Sequence, residues 1–356
     1  MRQLMINREF WKGRRVFLTG HTGFKGAWLT MWLHHLGAQV AGYALKAPTT
    51  PSLYELCSVS SLIETEHHAD VRDLECLNKA VQEFQPEIIF HLAAQSLVQE
   101  SYQTPVDTYS TNIMGTVHVL ESIRLSKCVK AAIMVTSDKC YENKEWIWGY
   151  RENDRLGGFD PYSNSKACAE LVTSAYNQSF FNGDTPAIAS VRAGNVIGGG
   201  DWAENRLIPD CIRAFLKSEK VILRNPSAIR PWQHVLEPLS GYLLLAEHLL
   251  NDGERFCGAW NFGPGDEGVR PVSWIAETLA ELWFEPAHCS YDSDLTLGHE
   301  TTCLKLSSGK AREQLHWKPR WDVEVAIKKI IDWTQEFRNE ENMLSYSIQQ
   351  IKEYME

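Results

Sequence analysis

The chain has 356 residues, 44% of them hydrophobic and 22% charged, an ordinary make-up for a globular protein with room for one large domain or two smaller ones. A net charge of −10 argues against a dedicated nucleic-acid binder, which carries a basic face, and no apolar run approaches the length that spans a bilayer. Nine cysteines stand singly, with no C-x-x-C pair and no histidine spacing that suggests a metal, and read as reduced thiols in a cytoplasmic protein. The opening MRQLMINREFWKGRR has no continuous apolar stretch, so no signal peptide is expected.

The first informative stretch is VFLTGHTGFKGAWL. An apolar, β-branched run from Val16 to Thr19 enters a turn with glycines at Gly20, Gly23 and Gly26. An amphipathic run, Ala27 to Leu36, follows and stops at Gly37. Strand, glycine turn and helix together make the layout in which a dinucleotide pyrophosphate rests on a helix N-terminus. The spacing is G-x-x-G-x-x-G, also compatible with an ordinary strand-to-helix turn; its place after the first strand favours nucleotide binding.

Gln39 to Leu45 reads as a second strand, ending Tyr43-Ala44-Leu45-Lys46. It lacks the acidic residue that usually grips a cofactor ribose, which leaves NAD and NADP both open at this position. In the following His-Ala-Asp-Val-Arg-Asp, Asp73 is placed to cap a helix whose apolar face is Leu74, Leu77, Val81 and Phe84. Asp70 is placed at a strand end, where it can accept from an adenine amino group. Pro86 to Ala94 is a buried strand whose small end residues, Ala93 and Ala94, leave room for a ligand.

Further on come a helix from about Pro105 to Leu125, a strand Ala131 to Ser137, a helix after Pro161 and a strand Ala187 to Arg192. The alternation implies right-handed crossovers and a parallel sheet. Past Gly194 it breaks down into helical pieces near 207–218, 239–250 and 273–283, with short strand-like runs such as Ala259 to Phe262. The expected fold class is α/β, a Rossmann-type doubly wound parallel sheet with a smaller C-terminal α/β substrate lobe. Residues 1–193 would form the dinucleotide domain, with a return to the sheet near 228–265, and 194–356 mainly the substrate lobe. Trp202 and Trp232, in polar stretches with glycine or proline, are expected at a pocket rim.

Chemistry concentrates at the end of the fifth strand, Thr136-Ser137-Asp138-Lys139, and in Tyr162-Ser163-Asn164-Ser165-Lys166. On a helix Tyr162 and Lys166 are neighbours. A nearby ammonium and a positively charged nicotinamide ring both favour phenolate, which makes the pair a proton acceptor for an alcohol losing hydride, with Ser137 bonded to the same hydroxyl. A lone Y-x-x-x-K is often a surface pair; after a strand ending in Ser137, on a chain that opens with the glycine turn, it reads as catalytic.

TGHTGFKG, DVRD at Asp70, HLAAQ, TSDK and Y-x-x-x-K together resemble the extended short-chain dehydrogenase/reductases of the NAD-dependent epimerase/dehydratase type. The likeness covers nearly the whole chain, including RAGNVIGGGDW and HETTCLKLSSGKA. Asp-Lys stands where the dehydratases of dTDP- and GDP-sugars carry an acid pair, so the resemblance is nearest to the branch acting on CDP-glucose.

That resemblance implies bound NAD, retained between turnovers, and CDP-glucose, a nucleotide sugar, as the substrate of a 4,6-dehydration leading to dideoxysugars. Tyr162, Lys166 and Ser137 would serve the carbon 4 oxidation; Asp138 would protonate the leaving hydroxyl and Lys139 would take the carbon 5 proton. Gly20, His21, Gly23, Phe24, Lys25, Gly26, Asp70, Val71, Leu92, Ala93, Ala94, Tyr162 and Lys166 would contact the cofactor, with the bulk of His21 expected to loosen its hold. Asn195, Arg206 and Arg230 would meet the sugar-nucleotide phosphates. Arg192 reads equally as a structural ion-pair residue, and His299, Glu300 and Lys305 have no assigned role. The resemblance also implies a homodimer, or a dimer of dimers, through the helices at 105–125 and 161–181. Another nucleotide-sugar dehydratase, a 4-epimerase and, more distantly, a non-catalytic redox-sensing protein stay open.

Overall fold

A computed structural model describes residues 6–181, 183, 186–223, 225–291 and 302–356. Strands β1 (Arg15–Thr19), β2 (Gln39–Ala44), β3 (Thr65–His68), β4 (Ile88–His91), β5 (Ala131–Val135) and β6 (Ala187–Ala193) alternate with helices. The chain then adds β7 (Asn195–Ile197), β8 (Val221–Leu223), β9 (Ile229–His234), β10 (Gly258–Phe262), β11 (Val269–Pro271) and β12 (Cys289–Tyr291). The main sheet is wholly parallel, in the order β10-β6-β5-β4-β1-β2-β3. The order in which successive strands are added reverses between β1 and β4, and the crevice beyond their C-terminal ends is where such sheets bind ligands.

Alternation along the strands sorts side chains onto two faces. Val16 and Leu18, Ile88 and Phe90, and Ala131 and Ile133 join the larger core, shared with helices Phe24–Leu36 and Leu236–Asp252 and the C-terminal helices. Phe17, Ile89, Ala132 and Met134 join a second core under helix Leu74–Phe84 and the helix ending at Leu125. A sheet buried on both sides needs continuous apolar strands, which the sequence has.

The local signals work as chemistry dictates. Gly37, at φ 86, ends the first long helix in the left-handed region, and Asp73 caps the next by accepting from Cys76 N at 3.0 Å. Trp202 and Trp232 are not rim residues: both are buried in the larger core, and Trp232 Nε1 donates to Arg270 O at 3.0 Å. Two small sheets, β11-β9-β7 and β12-β8, hold the remaining strands, and all nine cysteines are free thiols.

Candidate active site

The glycine turn is built by close contacts. Gly20 has φ +79, and a Cβ there would fall 2.7 Å from Ala93 N, against the end of β4. A Cβ on Gly26 would fall 2.0 Å from Gly20 O, whereas one on Gly23 would meet only that carbonyl, at 3.4 Å. The first and third glycines therefore let backbones pack, and the middle one leaves the outer side open. Behind the turn, Thr19 Oγ1 accepts from Leu92 N and Ala93 N, both at 3.2 Å, and bonds His91 Nδ1 at 2.8 Å. Burial pushes the His91 imidazole down to about 3, so it stays neutral.

These residues fit a dinucleotide. The Phe24–Leu36 helix has no side-chain cap and no acid in its first turn, so its leading N–H groups face the crevice free of a carboxylate. Lys25, in that first turn, is drawn down to about 8 by burial and then by the charges of Arg206 and Lys166. A helix N-terminus crowded by cations is unfavourable unless an anion sits among them. Phe24 packs towards Gly198, where a Cβ would lie 3.0 Å from its ring.

His21 is fully buried, and its Nε2 lies 2.8 Å from Glu66 Oε1. Burial would raise the Glu66 carboxyl, but hydrogen bonds from Ser60, Tyr54 and His21 hold it below the ordinary range. Asp70 is two residues beyond β3 and is gripped by Arg72, whose Nη2 lies 2.6 Å from Oδ2 and whose Nη1 reaches Asp107 at 2.8 Å. That hydrogen bonding holds the Asp70 carboxyl below its usual value. Val71 is buried and its carbonyl bonds His118 Nδ1 at 3.0 Å, while Leu92, Ala93 and Ala94 lie half-buried past β4.

Past β5 the chain runs extended through Ser137 and turns sharply over Asp138–Cys140. Ser137 Oγ accepts from Lys139 N at 3.2 Å and donates to Asp138 Oδ1 at 3.1 Å. Asp138 is only 2% exposed, yet its Oδ2 has no partner. A buried carboxylate oxygen without a donor is costly, and its natural complement is a hydroxyl brought by a substrate. Lys139 Nζ stands 3.8 Å from Oδ1, with 30% of the side chain exposed.

Facing this turn is the Pro161–Phe180 helix, opened by Asp160, whose Oδ1 accepts from Ser163 N at 2.9 Å, and by Pro161 in its first turn. It buries both Tyr162 and Lys166, and the Lys166 ammonium donates to Val135 O at 3.3 Å. Burial brings Lys166 down to about 8, against the pull of Glu170. The Tyr162 phenol is pushed up to about 12 by burial, against its interaction with Ser137. The lowering expected of the Tyr–Lys pair thus does not arise from the chain's own charges, because desolvation outweighs them.

Of the residues expected at the phosphates, Asn195 starts β7 with a buried, unpartnered Oδ1. Arg206 binds Asp201 Oδ2 at 3.1 Å and Ser96 Oγ at 3.1 Å, and its charge reaches Tyr162 and Lys25. Arg230 is buried in β9. Arg192 lies elsewhere, in a buried ion pair with Glu170 at 2.8 Å. The Lys305 carbonyl accepts from Tyr150 N at 3.0 Å; His299 and Glu300 fall outside the described residues.

Three residues of this neighbourhood escape a reading of the sequence. Arg270 of β11 stands directly opposite Arg230 in the antiparallel ladder, its Nε buried and unpartnered. Its guanidinium carbon lies 5.1 Å from the centre of the Trp274 ring. Asn112 sits in a π turn, Ser110–Met114, donating to Ser165 Oγ and to Gln95 O, both at 2.9 Å. Glu170 is the third. Only the i+8 spacing from Tyr162 hinted at it.

A family model described as GDP-mannose 4,6 dehydratase matches residues 17–330. The chain is 52% identical to a CDP-glucose 4,6-dehydratase of Salmonella typhimurium, over 99% of each. It is 27% identical to a probable dTDP-glucose 4,6-dehydratase of Sinorhizobium fredii, over 90% of this chain and 92% of that one. In structure it superposes on a UDP-glucose 4-epimerase of Stenotrophomonas maltophila with bound NAD and formylated UDP-arabinopyranose, at a TM-score of 0.80 and 18% identity, covering 92% of this chain and 99% of the other. That last likeness shows the fold.

Proposed function

The chain belongs to the GDP-mannose 4,6-dehydratase family within the extended short-chain dehydrogenase/reductases, and on that premise we propose that it converts CDP-glucose to CDP-4-keto-6-deoxyglucose and water with NAD as cofactor. The observation that carries dehydration rather than epimerisation is the buried Asp138 carboxyl, with one oxygen unpartnered, held by Ser137 beside the Tyr162 helix. A 4-epimerase has no use for such an acid.

NAD, when bound, supplies the acceptor and later the donor of one hydride. Tyr162, steadied by Lys166 and Ser137, takes the proton of the carbon 4 hydroxyl as that carbon is oxidised. The new ketone acidifies carbon 5. Lys139 removes the carbon 5 proton while Asp138 passes a proton to the carbon 6 oxygen, and water leaves. Lys139 then returns a proton to carbon 5 as carbon 6 is reduced. The Tyr162 proton makes good the one Asp138 gave up, so atoms and charge balance.

Lys25, Gly20, Gly23 and Gly26 support the reading of a pyrophosphate seat at the crevice. Asn195, Arg206 and Arg230 would hold the substrate diphosphate, and Arg270 joins them from β11, because a residue opposite Arg230 shares its face of the sheet. Residues 1–193 with β10 would serve the cofactor and the remainder mainly the nucleotide sugar.

The homodimer is supported by apolar side chains that the sheet does not cover. Tyr102, Met114, Leu171 and Phe180 are exposed along the two expected helices or beside them, and Val106 is 80% exposed. No helix among the described residues is long and apolar enough to cross a membrane; a cytoplasmic setting is supported by the nine free thiols.

The deciding experiment offers CDP-, dTDP-, UDP- and GDP-glucose in parallel and follows the keto-sugar chromophore in alkali. Turnover of CDP-glucose well above the rest is expected. Preference for another base overturns the substrate assignment, and loss of a carbon 4 tritium without its arrival at carbon 6 overturns the internal hydride transfer.

A further inference from the structure

We propose that the buried Glu170–Arg192 pair is a positioning device for the reaction: Glu170 ties the strand end that presents Ser137, Asp138 and Lys139 to the helix that carries Tyr162 and Lys166. The proposal rests on the roles given above to those five residues.

The tie can be followed bond by bond. Positions 162, 166 and 170 succeed one another at helical spacing, so they share a face. Glu170 accepts from Thr136 Oγ1, from Ser190 Oγ at 2.6 Å and from Arg192 Nη2 at 2.8 Å. Thr136 lies between Val135, whose carbonyl receives the Lys166 ammonium at 3.3 Å, and Ser137. One carboxylate therefore fixes the residue from which the catalytic turn departs. Thr136 N also donates to Val191 O at 2.9 Å, which pins the same point to β6.

Arg192 carries the tie outward. Its Nη1 donates to Tyr141 Oη at 2.7 Å and to Glu152 O at 3.0 Å, and Tyr141 Oη donates to Asn261 Oδ1 of β10 at 2.7 Å. The segment after the catalytic turn is thus locked to the far edge of the sheet. Burial alone would raise the Glu170 carboxyl, but Arg192 and the two hydroxyls hold it below the ordinary range, so it is an anion. Buried ion pairs of this kind are often no more stabilising than well-packed apolar residues, so stability does not account for the pair.

Its charge also bears on Lys166. Glu170 from the same helix favours the ammonium, against burial, while the Cys140 thiol beyond β5 is kept neutral by its own burial. Lys25, from the first turn of the Phe24–Leu36 helix, opposes it; His91 of β4 is neutral, and Tyr162 lies one turn away. Arg192, from β6, is the remaining charge behind Glu170. Removing the carboxylate should let Lys166 lose its proton at lower pH.

The test uses the full chain with NAD and CDP-glucose, reading transient reduced nicotinamide in single turnovers across pH, with a melting curve for each variant. If the wild-type protein forms no reduced nicotinamide, the functional reading itself fails, whatever the variants do. Glu170→Gln with Arg192→Met removes both charges without stranding either. It is expected to keep its fold, to slow hydride formation by about tenfold to a hundredfold, and to move the alkaline limb down by about half to one pH unit.

Glu170→Asp, which keeps the charge, should bring the limb back. Thr136→Val cuts the tie without burying a charge, and reads the positioning role even if the double variant does not fold; a slower hydride step with the limb in place is expected. A rate within twofold of wild type in Thr136→Val, or an unmoved limb in a folded double variant, overturns the proposal.

Discussion

The imidazole of His21 occupies the space a side chain at position 42 would need: a Cβ on Gly42 would fall 2.7 Å from its Nδ1. The ring is thus wedged between the glycine turn and β2, with Glu66 of β3, the residue paired with Gly42, bonded to its other nitrogen. The carboxylate missing from the end of β2 stands one strand over and is spent on His21, Tyr54 and Ser60.

That wedge predicts looser cofactor binding than a smaller residue would give. His21→Gly should tighten NAD by about tenfold in Kd, equivalent to about 1.4 kcal/mol, as read by quenching of tryptophan fluorescence. Unchanged or weaker binding would show that the ring supports the cofactor instead.

The division of labour around Asp138 predicts a reaction stopped halfway. Asp138→Asn together with Lys139→Met should retain slow, reversible exchange at carbon 4, while water loss falls by at least about a hundredfold. Deuterium wash-in at carbon 5, followed by NMR, separates the two halves. Full dehydration by that variant refutes the acid and base assignments.

Facing arginines predict a binding defect without a chemical one. Arg270→Met should raise KM for CDP-glucose by about tenfold to a hundredfold and leave kcat within a few-fold, as expected for a lost charged contact of about 1.5–3 kcal/mol. The affinity for NAD should not move. A lowered kcat at an unchanged KM would place Arg270 outside the diphosphate seat.

Buried titrating groups predict the shape of the stability profile. His91 and His234 are both drawn from 6.5 to about 3 by burial, so below pH 6.5 the unfolded chain takes up protons the folded chain refuses. Each then removes up to about 1.4 kcal/mol of stability per pH unit as pH falls. Glu237 and Glu247 are raised from 4.5 to about 7 by burial, so between those values the folded chain holds the extra protons and gains stability as pH falls. The two effects oppose each other from about 4.5 to 6.5. A flat melting temperature is expected there, with a steep fall below it. Glu237→Gln should unmask a positive slope across that window; a slope no different from wild type would count against the offset.

Much of the chemistry was legible in sequence because it follows local rules. A glycine turn between strand and helix, Asp73 as a cap, and Tyr162 with Lys166 one helical turn apart each depend on neighbours within a few residues. The place of Asp138 and Lys139 at the end of a strand could be read because the strand's apolar run is plain. Trp202 and Trp232 misled, since polar neighbours in the chain say little about which side chains arrive from elsewhere to cover a ring.

What the sequence by itself determined was the parallel sheet and the turns and caps that frame its crevice, because periodicity and spacing are properties of the chain. Only the tertiary structure decided that His21 leans on Gly42, that Arg270 faces Arg230 and that Glu170 holds Thr136. Those pairs lie tens of residues apart, and their partners are chosen by strand order and register, which no local pattern encodes.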